Sequence, residues 1–530
     1  MYACLLIPEI LKQIFSDIYF SGTNGGLQDY WDHCYFRDPP YYPSQPDRGT
    51  ARRSLAVLSR VCKSFKDVAL DVLWAELENL QPLFTCLPQD LWTRNSNLKL
   101  TTQRPVTAAD WSVFERYAPR VRVLGDVRSD IFGGIRADFV YAIMSFSSQS
   151  LLLPNLRALC CGGCPRNLHP CMRYLLGPNL SYLHLASNQA DFWTHIMSSL
   201  VSGLCRHSPR LEFVKLHPTS SKVTEVTLHG LLFLRKIRLG LRGNEDLSYL
   251  YRIVGLQELH IQIMKPYARV KSQFRTSCLD KLVISVSDFE AFDGDMTEGW
   301  IIPCRQLQLV PHDVETSLSV ERTLRKLTDR VLFDDLECIT LYASTHIGEA
   351  FTVHTFTPLM RFSGLKEVDL STWCMSLLDD DGLGSIVKSW PCLERLELGN
   401  KVIWDEDAPM ITFRGLVTLL SSCPNLRTLG LVFDATNVDP ITAEKPGGGV
   451  CNTNITTFSV GGSPIKRPLL VAVALEAVLP CLRKFKIEGN EYDLWEERGS
   501  DRNLQQARWE EVSEYIGVLP LIRQHQSSRV

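Results

Sequence analysis

Apolar residues return along this chain in one short figure. In CPNLRTLGL, residues 423–431, leucines stand at Leu426, Leu429 and Leu431. PCLERLEL at 391–398, SGLKEVDL at 363–370 and PCLRKFKI at 480–487 have the same shape. Written L-x-x-L-x-L, with other apolar residues admitted, the figure starts at Leu156, Leu180, Leu211, Leu234, Leu256, Leu279, Cys304, Leu336, Leu365, Leu393, Leu426, Ile455 and Leu482. Successive starts lie 22 to 33 residues apart. Val121 and Leu124 make a degenerate earlier copy.

The last two apolar residues of each copy are two apart, so they share one face of a short strand. The first turns into the same interior. Between copies the spacing is helical. Leu383, Ile386, Val387 and Trp390 fall at i, i+3, i+4 and i+7. Phe192, Ile196, Leu200 and Leu204 keep to steps of four, and Phe413, Leu416, Leu419 and Leu420 follow suit. Pro209, Pro391, Pro424 and Pro480 stand where helix should give way to strand, because proline disfavours helix at the residue before it.

A strand-plus-helix unit cannot bury its apolar edge alone, but stacked units can, and each buried leucine stabilises by roughly 1.5–3 kcal/mol. The pattern resembles a leucine-rich repeat. The resemblance implies an α/β solenoid over 151–490, with parallel strands on the concave face and helices on the convex face. A connecting or capping segment is expected at 89–150 and a C-terminal cap or tail at 491–530. The longer spacings and a poor asparagine-bearing tail predict irregular rungs. On this reading Leu396, Leu429 and Phe485 lie one above the next on neighbouring parallel strands.

The front of the chain has a different pattern. In LLIPEILKQIFSDI, 5–18, Pro8 opens a helix and Ile10, Leu11, Ile14, Phe15 and Ile18 form one apolar stripe. A turn-rich insert follows at about 21–50. Helical spacing resumes at Leu55, Leu58, Cys62 and Phe65, then at Val68, Val72 and Leu73. IPEILKQIF (7–15) and LAVLSRVCKSFKDVALDVLW (55–74) resemble an F-box. With AELENLQPLFTCLP at 75–88, the chain looks like the F-box proteins of mushroom-forming fungi that carry leucine-rich-repeat-like tails. The resemblance implies a small helical F-box domain over 1–88. It also implies docking on the Skp-type adaptor of a cullin ubiquitin ligase. Carried over by position, Pro8, Ile10, Leu11, Ile14, Phe15, Leu58, Val61, Cys62 and Phe65 fall in the docking motif. The insert departs from the family pattern.

Composition narrows the function classes. Net charge is −3 and no basic stripe invites a nucleic-acid backbone. No apolar run reaches the roughly 18–20 residues of a membrane span. The N-terminal residues lack the basic segment of a secretory signal. Seventeen cysteines in 530 residues are too sparse for a secreted disulfide scaffold, so a reducing cytoplasmic or nuclear setting is expected.

Candidate chemistry is thin. CCGGCPRNLHPC, 160–171, offers Cys161, Cys164, His169 and Cys171 as soft ligands, yet it lacks a second zinc half-site, and Cys161 occupies an inward rung position. Asp379, Asp380 and Asp381 lack the alternation of a calcium loop and read as a helix start with solvated charges. No nucleophile elbow, phosphate loop or His-Glu-x-x-His motif is present. The expectation is therefore a non-catalytic protein with no metal and no cofactor.

Binding would fall to rung positions beside the inward pair. Between its members come His184, Lys215, Arg238, His260, Asp369 and Glu397; just before it come Tyr182, Phe213, Lys236, Glu258, Glu367 and Arg395. The middle of the array leans basic and later rungs lean acidic. The function expected is a substrate-recognition subunit of a Skp–cullin–F-box ubiquitin ligase that holds a protein substrate on the repeat surface. The alternatives are a repeat scaffold outside any ligase and a zinc-binding protein.

Overall fold

A computed structural model describes residues 7–20, 48–126, 130–146, 151–186, 193–217, 221–241, 250, 252–263, 279–289, 303–313, 315–329, 335–342, 351–401, 409–438, 446–487 and 500–527. Most of the expected 21–50 insert lies outside these residues. The chain divides into two units, 1–240 with 252–255, and 241–251 with 256–530.

The first unit opens with helices Pro8–Phe20, Arg48–Leu58 and Lys63–Leu73. Leu11, Phe15 and Tyr19 of the first helix meet Leu55, Ala69 and Val72 in a closed core. The Phe15 and Phe65 rings pack edge to face at 5.5 Å. The apolar spacing through 55–65 is broken: the second helix ends at Leu58 and the third starts after Cys62, which caps it without a side-chain bond. Arg120 ties the third helix to the strands that follow, pairing with Asp71 and, at 2.8 Å, with Asp67. Trp74 packs on Tyr117 at 4.8 Å.

Parallel strands then follow in chain order: Glu76–Leu77, Val123–Leu124, Ala158–Cys161, Tyr182–Ala186, Phe213–His217 and Lys236–Leu241. The ladder thus begins at Glu76, ahead of the 151 start read from the repeat. Its second strand, Val123–Leu124, coincides with the degenerate copy read at Val121 and Leu124, whereas the first, Glu76–Leu77, was not read as a copy of the figure. The segment between them holds an antiparallel pair, Trp92–Arg94 with Leu100–Thr102, and a helix, Ala108–Tyr117. Thr107 and Asp110 form a reciprocal capping box at that helix.

The second unit carries nine strands, all parallel and consecutive among the described residues: Glu258–Ile263, Leu279–Val286, Cys304–Pro311, Cys338–Leu341, Glu367–Leu370, Arg395–Leu398, Thr428–Leu431, Thr457–Ser459 and Lys484–Lys486. Leu396 pairs with Leu429, Leu429 with Phe458, and Phe458 with Phe485, so the three expected residues lie in one stack, with Phe458 standing between Leu429 and Phe485. Rung leucines from Leu156 to Leu426 are buried. The chain is an α/β protein with leucine-rich-repeat-like solenoid ladders. Each rung also donates backward through its backbone: Glu394 N–H to the Lys366 carbonyl and Arg427 N–H to the Glu394 carbonyl, both at 2.7 Å.

Helices connect the rungs where the spacing predicted them at Asp380–Lys388 and Phe413–Ser422; a helix also forms at His195–Ser202, but its buried residues are Met197 and Val201, Ile196 is exposed, and Phe192 lies outside the described residues. Two of the three aspartates before Leu383, Asp379 and Asp380, are not merely solvated. Asp379 accepts from Gly382 N–H at 2.7 Å and caps its helix. Asp380 accepts from Thr412 N–H and its hydroxyl, each at 2.7 Å, fastening one helix to the next. A Cβ on Gly415 would stand 2.3 Å from Asp380 Oδ1, which explains a glycine in that helix. The last rung is closed by helix Ser500–Ser527, whose buried Trp509 packs on Phe485 at 5.4 Å and donates to the Ser463 carbonyl at 2.7 Å.

Candidate functional site

Side chains alternate along a strand, so each rung turns its leucines inward and its intervening residues to the other face. Stacking the rungs lines those residues into rows. In the first unit one row is Ala158, Tyr182, Phe213, Lys236 and the next is Cys160, His184, Lys215, Arg238. In the second unit the corresponding rows include Glu367, Arg395, Thr428, Thr457 and Asp369, Glu397, Gly430, Ser459.

Several residues expected to be open to a partner are buried: Tyr182, His184, Phe213, His260 and Glu397. The reason is contact along the rows. The Tyr182 and Phe213 rings stack at 4.4 Å beside Ala158. His184 Nδ1 lies 3.2 Å from Cys160 Sγ, and His260 Nε2 lies 2.8 Å from Ser285 Oγ. Lys215, Lys236, Arg238, Glu258, Asp369 and Arg395 are half-buried, and Glu367 is exposed.

In the later rungs polar side chains are joined by hydrogen bonds. Asn400 Nδ2 donates to Glu397 Oε2 at 2.7 Å and to Ser459 Oγ at 3.1 Å. These groups converge over Gly430, where any Cβ would collide with Glu397 and Asn400. Burial, and then the neighbouring Asp369 carboxylate, push the Glu397 carboxyl above its ordinary range. Arg395 opposes that shift from 3.6 Å, and stands 4.0 Å from Asp369. Asn400, Ser459 and Gly430 were not anticipated. The available signal was the glycine between Leu429 and Leu431, which opens space beside a neighbouring rung.

The front helices split the docking positions. Pro8, Ile10, Ile14, Val61 and Cys62 are exposed, Leu58 and Phe65 half-buried, and Leu11 and Phe15 buried. Leu11 and Phe15 therefore serve the three-helix core and are not available to an adaptor. Ile7 and Val57, outside the expected set, are exposed.

Among the described residues no group of three or more His, Cys, Asp or Glu is placed to hold an ion. His169 has Nδ1 2.9 Å from Thr194 Oγ1 and Nε2 3.1 Å from the Cys164 carbonyl. Burial pushes the Cys161 thiol up to about 12 and the Cys171 thiol up to about 11. Among the described residues no helix is long and apolar enough to cross a membrane.

No protein-family model matches the chain, and no curated protein does. Among solved structures, the chain is similar to the TLR13–ssRNA13 complex, at 16% identity and a TM-score of 0.38. That alignment covers 70% of this chain and 51% of the other, so the chain spans about half the length of that structure. It is also similar to a leucine-rich-repeat protein of Leptospira interrogans, at 13% identity and a TM-score of 0.26, over 78% of this chain and 99% of the other.

Proposed function

We propose that this chain is a non-catalytic substrate receptor of a Skp–cullin–F-box ubiquitin ligase in the cytoplasm or nucleus. The front helices dock on the adaptor and the strand rows hold a protein substrate. One observation carries the docking half. The three-helix bundle buries Leu11, Phe15, Tyr19 and Leu55, yet Ile7, Ile10, Ile14, Val57 and Val61 remain exposed. Ile7, Ile10 and Ile14 fall at i, i+3 and i+7, one side of the chain as it enters the helix. Apolar side chains left out in that number on so small a unit mark a binding surface. The strand rows, where Lys215, Lys236, Arg238, Glu258, Asp369 and Arg395 are half-buried and Glu367 is exposed, supply a second surface. The chain makes and breaks no bond on this reading; it brings a substrate to a catalytic partner and contributes proximity.

Co-expression with a Skp adaptor tests the reading. The wild type should co-purify with it, and Ile10→Asp with Ile14→Asp should abolish the complex while leaving the circular dichroism spectrum unchanged. A wild type that does not bind leaves a repeat scaffold outside the ligase.

A further inference from the structure

The edge of the first unit where the chain enters its strands gathers a composition that no single stretch of sequence shows. Strand register stacks the entry turns. Ser181 N–H donates to the Arg157 carbonyl, Glu212 N–H to that of Ser181 and Arg235 N–H to that of Glu212, each at 2.8 Å, so these four residues form one row. Leu232 and Val254 each stand two residues before a rung leucine, where earlier rungs have Pro154, Pro178 and Pro209. Val254 is 88% exposed and Leu232 82%, more than any other large apolar residue among those described, and Phe233 is 58% exposed. Leu231 and Leu234 on either side are buried, so the turn is anchored while its tip protrudes. Arg252 lies 3.8 Å from Glu225, which holds the Val254 turn beside the helix Ser221–Leu228 that leads to Leu232. Arg157, Arg173, Arg206, Arg210 and Arg235 are exposed at these turns and at the helix ends that feed them, and none forms an ion pair among the described residues. Against them stand only Glu212 in the row and Glu225, already engaged by Arg252. Burial, and then the Arg157 charge, pull Arg122 below its ordinary value, as like charges gathered on one edge must.

We propose that this edge rests on the surface of an anionic phospholipid bilayer. Leu232, Phe233 and Val254 enter the boundary between headgroups and acyl chains, and the arginines lie over the headgroups. Charge selects an anionic partner. The apolar tips select a fluid one, because side chains that protrude must be enclosed by whatever receives them, and lipid closes around them without a preformed pocket. A nucleic acid would meet the arginines but leave Leu232 and Val254, which have no ring to stack on a base, in water. The contact is peripheral and spans nothing. It uses neither the front helices nor the strand rows, so it stands apart from the ligase reading.

Flotation of the full chain with phosphatidylcholine vesicles, with and without about 30% phosphatidylserine, tests it. The wild type should float with the anionic vesicles and stay behind with the neutral ones. Leu232→Asp with Val254→Asp should weaken partition at least about tenfold, since apolar burial gives way to two charges of the wrong sign. Arg210→Glu with Arg235→Glu should weaken it by about the same factor, and serves as the second variant if the first does not fold. Leu377→Asp, at a 50% exposed apolar position away from this edge, should float like the wild type. A wild type that does not float, equal flotation with neutral vesicles, wild-type flotation of the variants at the edge, or an equal loss in Leu377→Asp would overturn the proposal. A chain that binds single-stranded RNA but no vesicles would overturn it too, and reassign the arginines to a nucleic acid.

Discussion

Gly430 lies so close beneath Glu397 that a Cβ built on it would stand 2.0 Å from the Glu397 Oε2 atom. The same Cβ would stand 2.5 Å from Asn400 Nδ2. Both neighbours are buried and hydrogen-bonded to each other, so neither can swing clear without breaking that bond. Gly430→Ala should therefore destabilise the chain by about 1–3 kcal/mol, the usual range for overpacking. In a Glu397→Ala background the cost should fall, with a coupling of at least about 0.5 kcal/mol in a urea-denaturation cycle. Zero coupling would place the cost elsewhere.

Glu397 also sets a pH dependence. Burial first, and Asp369 second, raise its folded pKa above the unfolded value, while Arg395, Asn400 and Lys401 pull the other way. The native state thus holds the proton more tightly than the unfolded chain. The stability this contributes is fully present below the unfolded carboxylate value, about 4.3, and is lost as pH rises through the folded value. Urea midpoints measured from pH 4 to 8 should decline more steeply for the wild type than for Glu397→Gln. Parallel profiles would show that Glu397 titrates as it does unfolded.

What the sequence disclosed, and what it hid, follows from which interactions lie within one rung. Leu396 and Leu429 were legible because a strand must turn alternate residues inward whatever its neighbours are. The burial of Tyr182 and Phe213 depends on register between rungs, and a single rung carries no record of which residue lies beside it. Asn400 falls outside the repeated figure and reaches Ser459 from 59 residues away, so no local pattern marks it. In the first helix, Ile10 and Leu11 are equally apolar. Only the positions of Leu55, Ala69 and Val72 decide that Leu11 faces inward.

That division predicts opposite behaviour from adjacent residues. Phe15→Ala empties a site packed by Phe65 and the bundle core and should cost about 3–5 kcal/mol. Ile10→Asp with Ile14→Asp alters exposed positions and should change stability by no more than about 1 kcal/mol. Thermal denaturation of the two proteins side by side checks this. A large loss in the double aspartate variant would mean that the isoleucines are structural.

Asp380 should matter more than an acidic residue in a charged run usually does. It accepts both the backbone N–H and the hydroxyl of Thr412, and it begins one helix while Thr412 caps the next. Asp380→Ala removes both bonds and should cost about 1–2 kcal/mol. The Asp381 carboxylate pairs with Arg414 at 3.3 Å between exposed side chains, so Asp381→Ala should be nearly neutral. Equal losses from the two variants would contradict the assignment of the fastening bonds to Asp380.

The end of the solenoid provides the sharpest local test, because a stacked array is only as stable at its edge as the group that covers it. Phe485 sits on the last strand and is half-buried, in contrast to the fully buried Phe458 one rung earlier. Its outer side is met by Trp509, which also packs on Phe433 at 6.1 Å. Two further contacts hold the helix in place: Gln505 accepts from Ile465 N–H and Arg508 donates to the Ile465 carbonyl, each at 2.8 Å. Trp509→Ala should cost about 3–5 kcal/mol if the array unfolds as one body. If instead the edge frays first, hydrogen exchange should accelerate in Thr457–Ser459 and Lys484–Lys486 while Glu258–Ile263 keeps its wild-type protection. The small interface between these three-residue strands favours fraying. Uniform acceleration through all nine strands would show that the terminal helix stabilises the whole unit and not its edge alone.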